Sequence, residues 1–267
     1  MTYVMGRTAA EYARLRAQAK IWEGATAGLL DTVGLAPGAR CLDVGCGPGE
    51  TMRLMAERVG PAGRVVGVDV DGELGRTAVT ALADAGHGQC EFVEGDVERA
   101  DPVPDGGFDL VFGRLILLHV ADPVAVLRRM WGWTAPGGVL VVQDYDMEAV
   151  AANPPLPVID EWRRVFLGTF AAAGRDHRLG LRLPALFAAA TGARPDGTAV
   201  AGRLDRMETS APMLAATYRS ITPAGISLGT VTPEEADRFQ ADIARAAVDQ
   251  PDHQALWPLL IGAHRRR

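Results

Sequence analysis

The sequence predicts an α/β fold, a doubly wound and mostly parallel sheet in one domain. Three observations predict it. Compact apolar runs at 41–44, 65–68 and 139–142 read as strands buried on both faces. Stretches with helical periodicity alternate with them, which is the pattern of a parallel sheet covered by helices. The first strand leads through Gly45-Cys46-Gly47-Pro48-Gly49 directly into a helix, the place where open parallel sheets bind ligands.

In chain order, residues 8–33 read as helix. Thr8 can cap it, Glu11 supplies the capping-box acid, and Leu15, Ala19, Trp22, Ala25 and Leu29 follow at helical spacing. Gly34 and Pro37-Gly38 end it. Strands are expected at 41–44, 64–69, 90–94 and 108–112, with helices at 50–59 and about 72–85 between the first three. Asp122-Pro123 opens a helix to about 133. Pro136-Gly137-Gly138 turns into a fifth strand at 139–143. Residues 145–158 contain three prolines and read as loop. Helices are expected at 158–173, 182–191, 211–221 and 233–249. Weaker strands at about 198–206 and 256–264 complete a seven-stranded sheet. A single domain spans 1–267: an N-terminal helical cover (1–37), a cofactor-binding half (38–144), a helical lid (145–195) and the remaining strands and helices (196–267).

Composition narrows the function. The 267 residues carry 27 Lys+Arg, all arginine except Lys20, against 33 Asp+Glu, for a net charge of −6. That mild acidity argues against nucleic acid and against a polybasic membrane anchor. No run approaches the roughly 20 apolar residues of a membrane span, and the N-terminus lacks a signal-peptide core. Cys41, Cys46 and Cys90 are too few for a disulfide framework. His87, His253 and His264 show no ligand spacing, so no metal site is expected. A reducing cytoplasm fits best. The preference for arginine, alanine and glycine suggests a high-GC bacterial source.

The glycine loop discriminates between ligands. A dinucleotide fingerprint needs a third glycine at position 50, which is Glu50 here. Asp43, just before the loop, would repel a diphosphate and suits a cationic ligand better. Asp69 ends the second strand, where a carboxylate can accept from both hydroxyls of a ribose. Asp96 ends the third strand and could accept from an adenine amino group, with Val97 offering its N–H. Each of these two acids could instead be a cap or a solvated turn residue.

Several segments carry a resemblance in order: Leu42-Asp43-Val44-Gly45-Cys46-Gly47-Pro48-Gly49, Val68-Asp69, Gly95-Asp96-Val97, Phe108-Asp109-Leu110-Val111 and Pro136-Gly137-Gly138. Together they resemble the motifs of class I S-adenosylmethionine-dependent methyltransferases, over about 38–144. The segment 113–123 is similar to the motif after strand four in the ubiquinone/menaquinone-biosynthesis-like branch. Tyr3, Arg7, Glu11, Arg14, Leu15 and Gln18 resemble the start of small-molecule methyltransferases of bacterial secondary metabolism. The closing Trp257-Pro258-Leu259-Leu260-Ile261-Gly262-Ala263 resembles that group's last strand.

The resemblance implies a Rossmann-like methyltransferase fold with S-adenosyl-L-methionine as cofactor and S-adenosyl-L-homocysteine as product. It implies backbone contacts to the methionine part at Gly45, Cys46 and Gly47, next to Asp43. Asp69 and Val70 would hold the ribose, and Asp96 and Val97 the adenine. The backbone of Arg114 would lie near the amino-acid end, and Tyr3 and Gln18 would close over the cofactor. Asp71 departs from the small polar residue common at its position.

Methyl transfer needs positioning and a dry site, plus a base where the acceptor must lose a proton. His119 is the base candidate just past the fourth strand, or else a packed histidine touching the cofactor. Asp144 and Tyr145 leave the fifth strand toward the same cleft and could orient an acceptor, or else cap the loop. Asp176-His177-Arg178 could roof the site or form a solvated cluster. Apolar residues of 145–195 suggest a water-excluding lid. The expected activity is methylation of a small organic acceptor, a bacterial natural-product intermediate, at oxygen or nitrogen. The alternatives are C-methylation of a quinone-like or prenyl-like acceptor, a non-catalytic S-adenosylmethionine sensor, and an NAD-dependent oxidoreductase. A monomer or homodimer without nucleic-acid or membrane partners is expected.

Overall fold

The computed structural model describes residues 8–99, 102, 103 and 106–267. The chain opens with two helices, α1 (Ala9–Ile21) and α2 (Glu23–Val33). The alternating half follows: β1 (Arg40–Val44), α3 (Glu50–Val59), β2 (Arg64–Asp69), α4 (Gly72–Asp84), β3 (Cys90–Glu94), β4 (Phe108–Arg114), α5 (Pro123–Trp133) and β5 (Thr134–Asp146). Then come β6 (Ala151–Asn153), α6 (Pro157–Ala172), α7 (Leu179–Thr191), β7 (Gly197–Ala201) and β8 (Leu204–Arg206). The chain closes with α8 (Met207–Ser227), α9 (Pro233–Asp249), β9 (Gln254–Leu256) and β10 (Leu259–Arg266).

Seven strands form the expected sheet in the order β3-β2-β1-β4-β5-β10-β7. The first five run parallel, and β10 is antiparallel to both β5 and β7. Strand order reverses between β1 and β4, which opens a crevice at their carboxyl ends. The period of two along each strand divides the core into two layers. Leu42, Val44, Val111, Leu140 and Val142 pack on one face. Cys41, Leu110, Phe112, Val139 and Val141 pack on the other. All ten are buried, and burying each larger apolar side chain contributes about 1.5–3 kcal/mol.

Several details differ from the sequence reading. The helix expected at 8–33 is broken at Trp22, whose buried ring lies 5.9 Å from that of Tyr145. Seating that ring against the sheet turns the chain and separates α1 from α2. The helix expected at 211–221 is longer: α8 extends beyond both ends and runs through Pro212 and Pro223, because Leu214, Tyr218 and Ile221 bury its face. The segment read as loop at 145–158 holds β6, which joins β9 and β8 in a separate three-stranded sheet. The strand expected at 256–264 divides between β9 and β10, and that expected at 198–206 between β7 and β8.

Candidate functional site

The glycine loop sits where the sheet reverses. Gly45, Gly47 and Gly49 have φ of 71°, 50° and 81°, a region that costs residues with a Cβ about 1–2 kcal/mol. At Gly45 a Cβ would also stand 2.7 Å from Ile116 Cδ1. At Gly47 nothing lies within 4 Å of that point, so the backbone there is open to a ligand. The loop is pinned to β2: Gly45 and Cys46 donate to the Val68 carbonyl at 2.8 and 3.1 Å. Gly47 N–H donates to Asp69 Oδ2 at 2.9 Å, and Asp71 N–H donates to Asp69 Oδ1 at 2.9 Å.

The cavity spreads from this loop across the carboxyl ends of β2, β3 and β4 and under α1. Of the residues singled out from sequence, Gln18, Gly45, Cys46, Gly47 and Asp69 line it. So do Val70, Val97, Arg114, His119 and Tyr145. Tyr3 lies outside the described residues. Asp43, Asp96 and Asp144 do not reach the cavity wall.

Each of those three carboxylates has a local reason. Asp43 is buried beneath the loop, and its Oδ2 has no hydrogen-bond partner among the described residues. Burial pushes it up to about 7, with the Arg114 guanidinium pulling down and the Asp69 carboxylate adding to the rise. Asp96 accepts the Glu98 N–H at 2.9 Å in the turn after β3. Asp144 was expected in the cleft, yet strand alternation turns it to the other side from Tyr145. It accepts the Leu118 N–H at 3.2 Å and the Tyr145 N–H at 3.0 Å. Burial pushes Asp144 up to about 7 against these backbone bonds and one from Leu117. It therefore braces the 3-10 turn Leu117–His119.

That turn presents His119 to the cavity. Leu115, at φ 56°, is the one non-glycine residue with positive φ among the described residues. It redirects the chain from β4 into the turn, a strain of the kind found at ligand sites. Burial pushes His119 down to about 3, helped by the charges of Arg14 and Arg175. The imidazole is therefore neutral near pH 7. Its ring lies 6.0 Å from that of Phe170.

The N-terminal helix closes the site through a network that the sequence showed only in part. Gln18 Nε2 donates to Tyr145 Oη at 2.7 Å. Arg14 donates to Gln18 Oε1 and makes a two-pronged pair with Glu11 at 2.8 and 2.6 Å. Burial pushes the Tyr145 hydroxyl up to about 12, despite the Gln18 bond and the nearby Arg114 and Arg14. Tyr12 was missed. Its hydroxyl donates to Asp71 Oδ2 at 2.7 Å, while Asp71 Oδ1 caps α4 through Leu74 N–H. The available signal was its helical register, three and seven residues before Leu15 and Ala19. Asp71 thus departs from the family pattern for a structural reason.

The far wall is apolar. Trp162, Phe166 and Phe170 recur every four residues along α6, and Met213, Leu214 and Thr217 face the same cavity from α8. The α8 contribution, outside the expected lid at 145–195, was invisible in a sequence where it lies some fifty residues from α6. Asp176-His177-Arg178 does not line the cavity: His177 Nε2 lies 3.2 Å from Glu148 Oε1, and Arg182 pairs with Asp176 at 2.6 Å. The terminal arginines are also engaged: Arg266 Nη1 donates to the Gly137 carbonyl and Arg267 Nη1 to that of Trp131, each at 2.8 Å. Among the described residues no cluster of metal-ligating side chains occurs, and no helix is long and apolar enough to cross a membrane.

Comparison with known proteins agrees with this geometry. Residues 35–166 match the family model of a methyltransferase domain. Over 143 residues the chain is 32% identical to the ubiquinone/menaquinone biosynthesis C-methyltransferase of Hahella chejuensis, covering 53% of each protein. Over 135 residues it is 36% identical to the nocamycin O-methyltransferase of Saccharothrix syringae, covering 50% of this chain and 45% of that protein. The chain spans about half the length of these curated relatives. The YcgJ protein of Bacillus subtilis shares the fold, with a TM-score of 0.58 at 20% identity over 91% of this chain and 99% of that one. Residues 35–166 are thus a methyltransferase domain, and through it the chain resembles the ubiquinone/menaquinone-biosynthesis-like branch of the class I S-adenosylmethionine-dependent methyltransferases.

Proposed function

We propose that this chain transfers a methyl group from S-adenosylmethionine to a hydroxyl or amine of a small organic acceptor, an intermediate of bacterial natural-product assembly. One observation carries the reading: Asp69 lines the cavity while holding the Gly47 amide, so an acid and an open glycine backbone face the same space. The residues fit the cofactor. Gly45, Cys46 and Gly47 would cradle its methionine part, with the Arg114 backbone beside the amino-acid end. The cationic ligand accounts for Asp43 behind the loop. Asp69 with Val70 would hold the ribose hydroxyls. Val97 would meet the adenine, and Asp96 would act through the turn that carries Val97. Gln18 would close the site from above.

When bound, the cofactor supplies a methyl group already activated by its sulfonium, so the protein's share is orientation and exclusion of water. Under the apolar roof of α6 and α8, neutral His119 takes the proton of an acceptor hydroxyl as the methyl group arrives, when the oxygen being methylated is far more acidic than the imidazolium. The Tyr145 hydroxyl, steadied by Gln18, stays protonated and orients the acceptor by hydrogen bonding. Asp144 holds the His119 turn in place. A cytoplasmic setting suits the three free cysteines, and a monomer suffices because one chain supplies every group invoked.

The test is turnover with methyl-labelled S-adenosylmethionine against a panel of small phenols, alcohols and amines, read by mass. A gain of one methyl group on a phenol or alcohol that depends on His119 is the expected result. Cofactor binding with no transfer to any acceptor would instead favour a non-catalytic sensor.

A further inference from the structure

Resting on the methyltransferase reading, the shape of the aromatic wall goes further and points to the acceptor. Trp162 and Phe166 stack with centroids 4.5 Å apart and 9° between planes. Phe166 and Phe170 stack at 5.0 Å and 16°. Phe166 is therefore covered on both faces by its own neighbours. It nevertheless lines the cavity, so it meets a ligand through its edge.

The edge of an aromatic ring is the positive part of its quadrupole and the face is the negative part. A ring edge attracts the π face of another aromatic ring, in the T-shaped arrangement. It repels a cation, which needs an open face. The Trp162 indole N–H is turned away from this role, toward the Leu214 carbonyl and Thr217 Oγ1, each at 3.2 Å. At Phe166 the wall thus offers an edge, and the polar groups beside it are turned inward: the Trp162 N–H as above, and the Thr217 hydroxyl toward the Met213 and Leu214 carbonyls, each at 3.0 Å.

The charge pattern agrees. Among the described residues, the α6, α8 and 257–258 parts of the lining carry no ionisable side chain. Arg14, the cation lining the cavity from α1, is paired with Glu11. A carboxylate or phosphate on the acceptor would find no free counter-charge at this wall, and burying one unpaired is costly. We propose that the acceptor is an uncharged, planar aromatic hydroxy compound, seated with its ring face toward the edge of Phe166 and its hydroxyl toward His119. Phe166 is then a specificity-determining residue.

Calorimetry on the protein first saturated with S-adenosylhomocysteine tests this without turnover. Three probes are compared: 2-naphthol, its saturated analogue decahydro-2-naphthol, and hexyltrimethylammonium. The expected result is that 2-naphthol binds about three- to ten-fold more tightly than the saturated alcohol, the ratio one aromatic pair supplies. The ammonium ion should bind weakest. In Phe166→Leu the preference for the aromatic ring should vanish while S-adenosylhomocysteine affinity is kept. Phe166→Met, closer in volume, replaces that variant if it does not fold. Equal or tighter binding of the saturated alcohol, tightest binding of the ammonium ion, a preference that survives in the Phe166 variant, or no binding of any probe would each overturn the proposal. Failure to bind S-adenosylhomocysteine in the first step would overturn the methyltransferase reading itself, and this proposal with it.

Discussion

The Asp144 carboxylate accepts the backbone N–H of Leu118 at 3.2 Å, one residue before His119. An acid expected to act in the cleft instead holds the turn that carries His119. Asp144→Asn keeps the shape but weakens the charge-assisted bonds, each worth about 1.5–3 kcal/mol. It should lower kcat by roughly ten-fold or more while leaving S-adenosylmethionine affinity within about two-fold. Restoring the pH profile with the conservative Asp144→Glu would distinguish this role from direct chemistry. An equal fall in cofactor affinity would show that the turn serves the cofactor instead.

His119 is held neutral, pushed down to about 3. The pH dependence of kcat/KM should therefore lack the acidic limb near 6.5 that an ordinary histidine base gives. His119→Asn should depress kcat far more than cofactor binding. An acidic limb at pH 6–7 that disappears in His119→Asn would show that the imidazole titrates in the ordinary range and is not held down by burial.

Asp43 predicts a pH effect on folding of the ligand-free protein. Its folded value of about 7 lies above its unfolded value, so the folded state binds the extra proton between about pH 4 and 7. The contribution of this group is present below about pH 4 and is lost as pH rises through 7. Asp43→Asn removes that loss. The difference in Tm, variant minus wild type, should grow from pH 5 to pH 7 and then level off. A difference independent of pH would mean that the buried carboxylate titrates normally.

Gly45→Ala places a Cβ at positive φ and 2.7 Å from Ile116 Cδ1. A loss of about 1–3 kcal/mol in stability is expected, with cofactor affinity falling at the same time. Gly47→Ala meets the same backbone cost but no protein atom, so its damage should fall more on cofactor binding than Gly45→Ala does. Denaturant melts paired with cofactor titrations separate the two.

The cofactor half was legible because its signals are local. A strand that ends in a glycine loop, and an acid at the end of the next strand, are set by neighbours in the chain, and Asp69 and Gly47 are hydrogen-bonded to each other as that pattern requires. The acceptor half was not. Met213 and Leu214 reach the cavity only because α8 packs on α6 and α1, and no spacing in the sequence records that. The ends of α8 were not legible either, since its buried face carries the helix through Pro212 and Pro223 and past the expected 211–221. Asp144 and Tyr145 are adjacent, and only the strand register decides which of them faces the cavity.

In the proposed function Asp69 and the glycine loop hold S-adenosylmethionine. Calorimetric titration of wild type and Asp69→Ala with S-adenosylmethionine and with NAD tests it most directly. S-adenosylmethionine should bind in preference to NAD, with a loss of about ten- to hundred-fold in Asp69→Ala from the ribose bonds removed. Tighter binding of NAD, or the same S-adenosylmethionine affinity in the variant, would contradict it.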